Sequence, residues 1–228
     1  MINPHAVHAI TVDAGGTLIY PHPSVGEVYA EGLSRHGIQL DPGLIQERFR
    51  EHFQILSNSG PREDVSERAE RERWRVIVQR TLSPECPADR FDAVFTELWD
   101  RFAEGDSWRL YPGARETMEE LAARGYPLYL LSNADERFRR VFHDLGLHQL
   151  FSHLFISSEM GYEKPHPRIF EHVEEAVGVP GPHLLHVGDS AFHDGGARTR
   201  DWQVAILGEN LDSLPDLLTL LPAHAPNP

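Results

Sequence analysis

The sequence is poor in three things, and each shortage excludes something. Cysteine occurs once in 228 residues. With Cys86 alone no internal disulfide can form, and a reducing cytoplasm is the natural compartment. Cys86 lies in a short stretch between Pro84 and Pro87 with no motif around it, so it reads as a loop thiol and not as a nucleophile. Long apolar runs are missing too. No uncharged apolar stretch approaches the ~20 residues of a membrane span, and the opening MINPHAVHAITV has neither a basic start nor an extended apolar segment. Neither export nor membrane insertion is expected.

The third shortage is positive charge. Twenty-one Lys and Arg residues face 35 Asp and Glu, for a formal net charge of -14. Such a surface repels nucleic acid and anionic membrane and favours metal cations. The 14 histidines soften this only at lower pH. Lysine is scarcer still: of the basic residues only Lys164 is a lysine. A chain so biased towards arginine keeps a lysine where a compact ammonium is required and a planar guanidinium would not fit. The plainer reading of Lys164 is a surface ion pair.

What is present suffices for one sizeable α/β core with an insertion, or for two small domains: 40% of the residues are hydrophobic and 25% charged. The stretch from His8 to Tyr20, HAITVDAGGTLIY, has the pattern of a buried strand ending on a carboxylate. Ile10 and Val12 are strand formers, and Asp13 stands where the apolar run stops. Gly15 and Gly16 allow a sharp turn that brings backbone amides close to a ligand, and Thr17 adds a hydroxyl.

After Pro21 and Pro23 the pattern becomes helical. Val25, Val28, Tyr29 and Leu33 share one face of a first helix; Ile45, Phe49, Phe53 and Leu56 share one face of a second. SNSGPRED reads as a loop. A third helix, SERAERERWRVIVQRTL, buries Trp74, Ile77 and Val78 behind a solvated charged face, and a fourth aligns Phe91, Phe95, Leu98 and Phe102. From Trp108 strands and helices alternate, as in a parallel sheet with crossover connections. PLYLLSNAD, the segment around Leu154 to Ile156, HLLHVGD and QVAILG are its strands; the segment after Asp189 is expected to be a helix, and AHAPNP a disordered tail.

In an open parallel sheet, ligands sit beyond the carboxyl ends of the strands. This brings Asp13, Ser132 with Asn133, and Asp189 to neighbouring strand tips. In these residues, in Lys164 before Pro165, and in Asp194 after Gly188-Asp189, the chain resembles the haloacid dehalogenase superfamily of hydrolases over nearly its whole length. The resemblance implies an α/β fold with a Rossmann-like parallel-sheet core (1–20 and 108–228) and an inserted all-helical cap (21–107). It implies Asp13 as a nucleophile forming an aspartyl phosphate, with Mg2+ held by Asp13, Asp189, Asp194 and the Gly15 carbonyl, a set of hard oxygen ligands. Lys164 would neutralise the carboxylates and the phosphate, with Gly16, Thr17, Ser132 and Asn133 beside it in binding a small phosphorylated substrate. Ser132 and Asn133 could also serve as a helix cap. His22, His166 and His193 fall near the motifs, but their spacing fits no zinc pattern, so a structural or substrate-side place is expected for them.

One departure from the family pattern matters. Its phosphatases carry a second aspartate two residues after the nucleophile as general acid and base, and here that position is Gly15. General acid catalysis is typically worth about 10²- to 10⁴-fold. The expectation is a phosphatase of low intrinsic rate, or one whose leaving group needs little protonation. A 2-haloacid dehalogenase also does without that second acid, because halide leaves unprotonated, but it uses no metal and would leave the Asp189 and Asp194 motif idle. Phosphonate cleavage needs a cap lysine, and residues 21–107 contain none. A silent member binding a partner through its cap is the reading from a different class. Oligomeric state has no signature in the sequence.

Overall fold

The structure, a computed structural model, describes residues 2–57, 60, 62 and 64–223. The expected tail beyond Ala223 lies outside these residues, and the SNSGPRED loop is described only in part.

Strand β1 (Ala9–Val12) is the middle of a five-stranded sheet, with β4 (Leu128–Ser132) and β5 (His153–Ile156) on one side and β6 (Leu184–Gly188) and β7 (Gln203–Ile206) on the other. All the pairings in this sheet are parallel. Parallel neighbours require crossovers, here supplied by α5 (Ala114–Ala123), α6 (Arg137–Asp144), α7 (Ser157–Met160), α8 (Pro167–Val177) and a 3-10 turn over Asp194–Arg200.

Side chains alternate across the sheet as a period of two demands. Ile10, Val12, Leu128, Leu130, Leu185 and Val187 bury themselves against Met118, Leu121 and Phe142 on one face. Ala9, Leu131, Leu184 and Val204 pack against Phe170, Val173 and Trp202 on the other. With both faces covered, the sheet can present polar groups to solvent only at its edges and ends, and its carboxyl ends carry the conspicuous ones.

Between β2 (Ile19–Pro21) and β3 (Trp108–Leu110), which pair as a short antiparallel ribbon, run α1 (Val25–Arg35), α2 (Pro42–Ser57), α3 (Glu67–Leu82) and α4 (Ala88–Arg101). The first of these begins with a capping box. The Ser24 hydroxyl accepts the Glu27 N–H while the Glu27 carboxylate accepts the Ser24 N–H at 2.9 Å. The four helices bury a cluster of their own around Tyr29, Leu33, Ile45, Val78, Leu82, Phe95 and Leu98.

Three expectations need correction. Helix α2 buries only Ile45 completely, whereas Phe53 is 37% exposed and rests on Phe49 and Trp74 rather than in the core. The segment after Asp189 forms 3-10 turns instead of an α-helix; Gly195 and Gly196 fall inside it, and glycine disfavours a helix interior by about 1 kcal/mol each relative to alanine. Ser132 and Asn133 cap no helix, because α6 starts only at Arg137 after Glu136. The β2/β3 ribbon has three-residue strands, too short to generate a readable alternation.

Candidate active site

Strand β1 delivers Asp13 to the carboxyl edge of the sheet, its N–H bonded to the Val187 carbonyl at 2.8 Å and its side chain nearly buried. The chain then curls. Gly16 N–H donates to the Ile19 carbonyl at 3.0 Å, and Thr17 and Leu18 N–H donate to the Ala14 carbonyl at 3.3 and 2.8 Å. The amides of Gly16 and Thr17, expected to face a ligand, are therefore spent on closing the turn. These residues retain two other features. Gly16 has φ +89°, and a Cβ there would stand 2.3 Å from Asp189 Oδ2, so only glycine admits the close approach of the two loops. The buried Thr17 hydroxyl has no partner in hydrogen-bond geometry among the described residues; the Asp189 carboxyl lies near it.

Lys164 enters from the loop between α7 and α8 and is 2% exposed. Its ammonium donates to Asp13 Oδ1 at 2.7 Å, Asp194 Oδ1 at 2.6 Å and the Leu131 carbonyl at 2.8 Å. An ammonium has three donors, and all are used. The Asn133 side chain fixes the backbone behind it. Its Oδ1 accepts the Lys164 N–H at 2.7 Å and its Nδ2 donates to the Lys164 carbonyl at 2.8 Å. The Asn133 amide, expected among the substrate contacts, thus holds the lysine loop. Ser132 lies buried at the tip of β4.

Asp189 and Asp194 complete the group, and the carboxylates of Asp13, Asp189 and Asp194 each place an oxygen within 4.8 Å of the other two. Their hydrogen bonding differs. Asp194 Oδ1 accepts from Lys164 and from His186 Nε2 at 2.8 Å, while its Oδ2 accepts the N–H groups of Asp189 and Ser190 at 3.1 and 2.9 Å. Those four bonds fill the four acceptor positions of a carboxylate. Gly188 makes the arrangement possible, since a Cβ there would sit 2.1 Å from Asp194 Cγ. Asp189 stands on the exposed side of the group.

Burial pushes the Asp13 carboxyl up to about 6, against the lowering influence of Lys164. Loss of solvent and the Asp194 charge raise Asp189 as well. Asp194 moves the other way. Burial opposes its charge, but Lys164 and His186 outweigh that and hold it well below the usual carboxylate range. Burial alone would lower the Lys164 ammonium, and the charges of Asp13 and Asp194 raise it instead. Three carboxylates against one ammonium leave a formal charge of minus two in a confined space, and their oxygens form a hard donor set. With the open Thr17 hydroxyl and the Gly16 approach, these residues fit a divalent cation and an oxyanion beside it.

The three flagged histidines have structural partners. His166 precedes α8 and its Nδ1 accepts the Arg168 N–H at 3.2 Å. His193 bonds the Ser190 hydroxyl through Nδ1 at 3.1 Å. His22 is exposed, and it is its backbone N–H, not its ring, that donates to the Ser107 carbonyl. A fourth, His186, is fully buried and bonded to Asp194. It carried no sequence signal beyond lying in the apolar run that ends on Asp189. The helices between β2 and β3 also reach this edge. Arg62 pairs with Glu70 and, at 2.8 Å, with Glu163 beside Lys164. Arg137 lies 3.5 Å from the centre of the Trp99 ring while paired with Asp135.

A parallel α/β core with a helical insertion after its first strand, and an aspartate–lysine cluster at the carboxyl edge, defines a hydrolase of the haloacid dehalogenase type. The family model described as haloacid dehalogenase-like hydrolase matches residues 7–197, and the chain belongs to this family. Among curated relatives, haloacid dehalogenase-like hydrolase domain-containing protein 3 of Mus musculus is 30% identical over 188 residues, covering 81% of this chain and 75% of that protein. Among solved structures, a dehalogenase superposes with a TM-score of 0.72 at 19% identity, covering 96% of this chain and 98% of that one. A HAD phosphatase from Thermococcus onnurineus gives a TM-score of 0.65 at 21% identity, covering 95% and 99%. At such identities these likenesses establish the fold. Both chemistries occur on it, so the choice between them rests on the site.

Proposed function

We propose that this chain is a magnesium-dependent phosphohydrolase acting on a small phosphorylated molecule through an aspartyl-phosphate intermediate. The observation that carries the reading is the formal charge of minus two left when three carboxylates surround a single ammonium. A dehalogenase working without metal would leave that surplus uncompensated at its nucleophile. Asp13, Asp189 and the Gly15 carbonyl would hold the cation, which supplies charge neutralisation for the transferred oxygens. Asp194, with its acceptor positions filled, stands behind them.

In this reading Asp13, largely ionised at neutral pH because its carboxyl sits at about 6, attacks phosphorus through a carboxylate oxygen as the bond to the leaving oxygen breaks. Lys164 offsets charge on the carboxylate and on the phosphoryl oxygens. Thr17 and Ser132 donate hydroxyl hydrogen bonds to those oxygens, with Gly16 permitting their approach. Water then hydrolyses the aspartyl phosphate. No side chain at position 15 protonates the departing oxygen, which favours substrates whose leaving group departs readily as an anion. Residues 21–107 act as a cap over a core of 1–20 and 108–228, with the β2/β3 ribbon as the joint, and the cap decides the substrate. A single cysteine and a strongly acidic surface suit a cytoplasmic enzyme without nucleic-acid or membrane partners.

A specific observation favours a second reading: Gly15 is also what a 2-haloacid dehalogenase would tolerate. The test is a screen of phosphate esters with magnesium, alongside 2-haloacids without metal. Ester hydrolysis that chelation abolishes is expected. Halide release without metal, and no ester hydrolysis, would replace the proposal with the dehalogenase reading.

A further inference from the structure

The buried histidine behind the acidic cluster serves neither the nucleophile nor the substrate directly. We propose that His186, with Thr11 behind it, is a positioning residue that fixes the Asp194 carboxylate, so that Asp194 aligns Lys164 and the Asp189–Ser190 backbone rather than binding the cation itself.

The sheet register builds this support. Thr11 of β1 and His186 of β6 are direct neighbours across the parallel pair, and both side chains project to the face lined by Phe170 and Trp202. The Thr11 hydroxyl meets His186 Nδ1 at 2.8 Å, and His186 Nε2 meets Asp194 Oδ1 at 2.8 Å. The ring is fully buried, with the Phe170 and Trp202 rings edge-on at 6.3 and 6.5 Å between centroids. Apolar walls therefore fix the plane of the imidazole, and its two nitrogens fix its rotation.

Donor and acceptor roles follow from the partners. An ionised carboxylate only accepts, so Nε2 carries the hydrogen. In a neutral ring Nδ1 then accepts, and the Thr11 hydroxyl donates to it. Read outward, the chain runs from Thr11 through His186 to Asp194, and there it branches. One branch leaves Oδ1 for Lys164 and ends on Asp13; the other leaves Oδ2 for the N–H groups of Asp189 and Ser190. A group that holds both the ammonium facing the nucleophile and the backbone of Asp189 need not touch a ligand to matter, because a misplacement of about 1 Å at a reacting centre costs on the order of 10²-fold.

The experiment compares His186→Leu, His186→Gln, Thr11→Val and Thr11→Ser in the full chain, using magnesium chloride in calorimetric titrations and p-nitrophenyl phosphate as the kinetic probe. Glutamine keeps a donor towards Asp194 and leucine does not. His186→Leu is expected to weaken magnesium binding by roughly 10-fold, the low end of the cost of losing an outer-shell partner, because it reaches the ligand Asp189 only through Asp194, and to lower kcat more than it raises KM. His186→Gln should recover most of both losses. Thr11→Val, nearly isosteric, should show a smaller loss of the same kind, and Thr11→Ser should recover it. Nitrogen-15 NMR of the His186 ring in the parent should find the hydrogen on Nε2. Equal losses in the Gln and Leu variants, parent-like behaviour of His186→Leu, or a neutral ring protonated at Nδ1 would each overturn the proposal. The kinetic arm rests on the phosphohydrolase reading. If the parent hydrolyses no phosphate ester that reading falls, while the titrations and the ring tautomer still decide this one.

Discussion

The Lys164 ammonium lies 2.7 Å from Asp13 Oδ1, although 151 residues separate the two. Its other donors reach Asp194 and the Leu131 carbonyl, so the geometry is that of three convergent bonds to one small cation. A guanidinium spreads its donors in a plane and needs more room. Lys164→Arg is accordingly expected to cost roughly 10²-fold or more in turnover, nearly as much as Lys164→Ala, with the loss mainly in kcat. Steady-state kinetics on a common phosphate ester check this. An arginine variant close to the parent would mean that charge alone, not its shape, is what the site needs.

Gly16 gives a second prediction. Gly16→Ala would place a methyl 2.3 Å from Asp189 Oδ2 at a φ of +89°, a backbone conformation costing a residue with a side chain roughly 1–2 kcal/mol. The Asp189 carboxylate must shift from its place in the acidic cluster, so the variant should melt lower than the parent and bind magnesium more weakly. Thermal melts with and without magnesium measure both effects. A variant stabilised by magnesium as strongly as the parent would show that the two loops need not approach this closely.

Cys86 provides a test in pH. Burial, and secondarily the Asp89 charge, push its thiol above the ordinary value. The folded state then holds the proton more tightly than the unfolded chain does. Any contribution to stability is complete below the ordinary thiol range and is lost as pH rises through the raised one. Because the thiolate is the reactive form, a disulfide reagent should modify the folded chain several-fold more slowly near neutrality than the denatured chain, with the folded rate climbing as pH rises. Equal rates at neutral pH would contradict the shielding and confirm an open thiol.

The parts of the site that were legible from residues alone are those carried by short segments. Asp13 ends an apolar run, Gly188 and Asp189 end another, and Lys164 is conspicuous as the one lysine in the chain. The helical stretch after Pro23 was legible for the same reason, through the spacing of Val25, Tyr29 and Leu33. What escaped depends on register across the sheet. Thr11 and His186 are 175 residues apart, and nothing in either segment says that they face each other. The saturation of Asp194 was equally hidden, because it needs the positions of two backbone amides and two side chains at once. The place of Asn133 next to Ser132 at a strand tip suggests a ligand contact, whereas its side-chain amide bonds the Lys164 backbone. Phe53 keeps the helical period but packs only at the rim, on Phe49 and Trp74, so periodicity overstates its burial.

The last prediction concerns Gly15, the position where a phosphatase of this family has its general acid. Unlike Gly16, it has no positive φ, and a Cβ built on it meets no atom within 4 Å. The residue is exposed, on the open side of Asp13. An aspartate can therefore be introduced without backbone strain or a clash at its first carbon. If Asp13, Lys164, Asp189 and Asp194 form a phosphoryl-transfer site that lacks only its proton donor, Gly15→Asp should accelerate phosphate-ester hydrolysis by roughly 10- to 10⁴-fold. The gain should be uneven. Alkyl phosphates, whose departing oxygen must be protonated, should gain more than aryl or acyl phosphates, although faster hydrolysis of the aspartyl phosphate would help all of them. A dehalogenase would gain nothing in halide release, and a silent binding protein would gain nothing at all. The comparison requires kcat/KM for an alkyl and an aryl ester in parent and variant, after circular dichroism and magnesium titration have shown the variant folded and metal-bound. A folded, metal-bound variant that hydrolyses neither ester faster than the parent would refute the account of this site as a phosphatase without its acid.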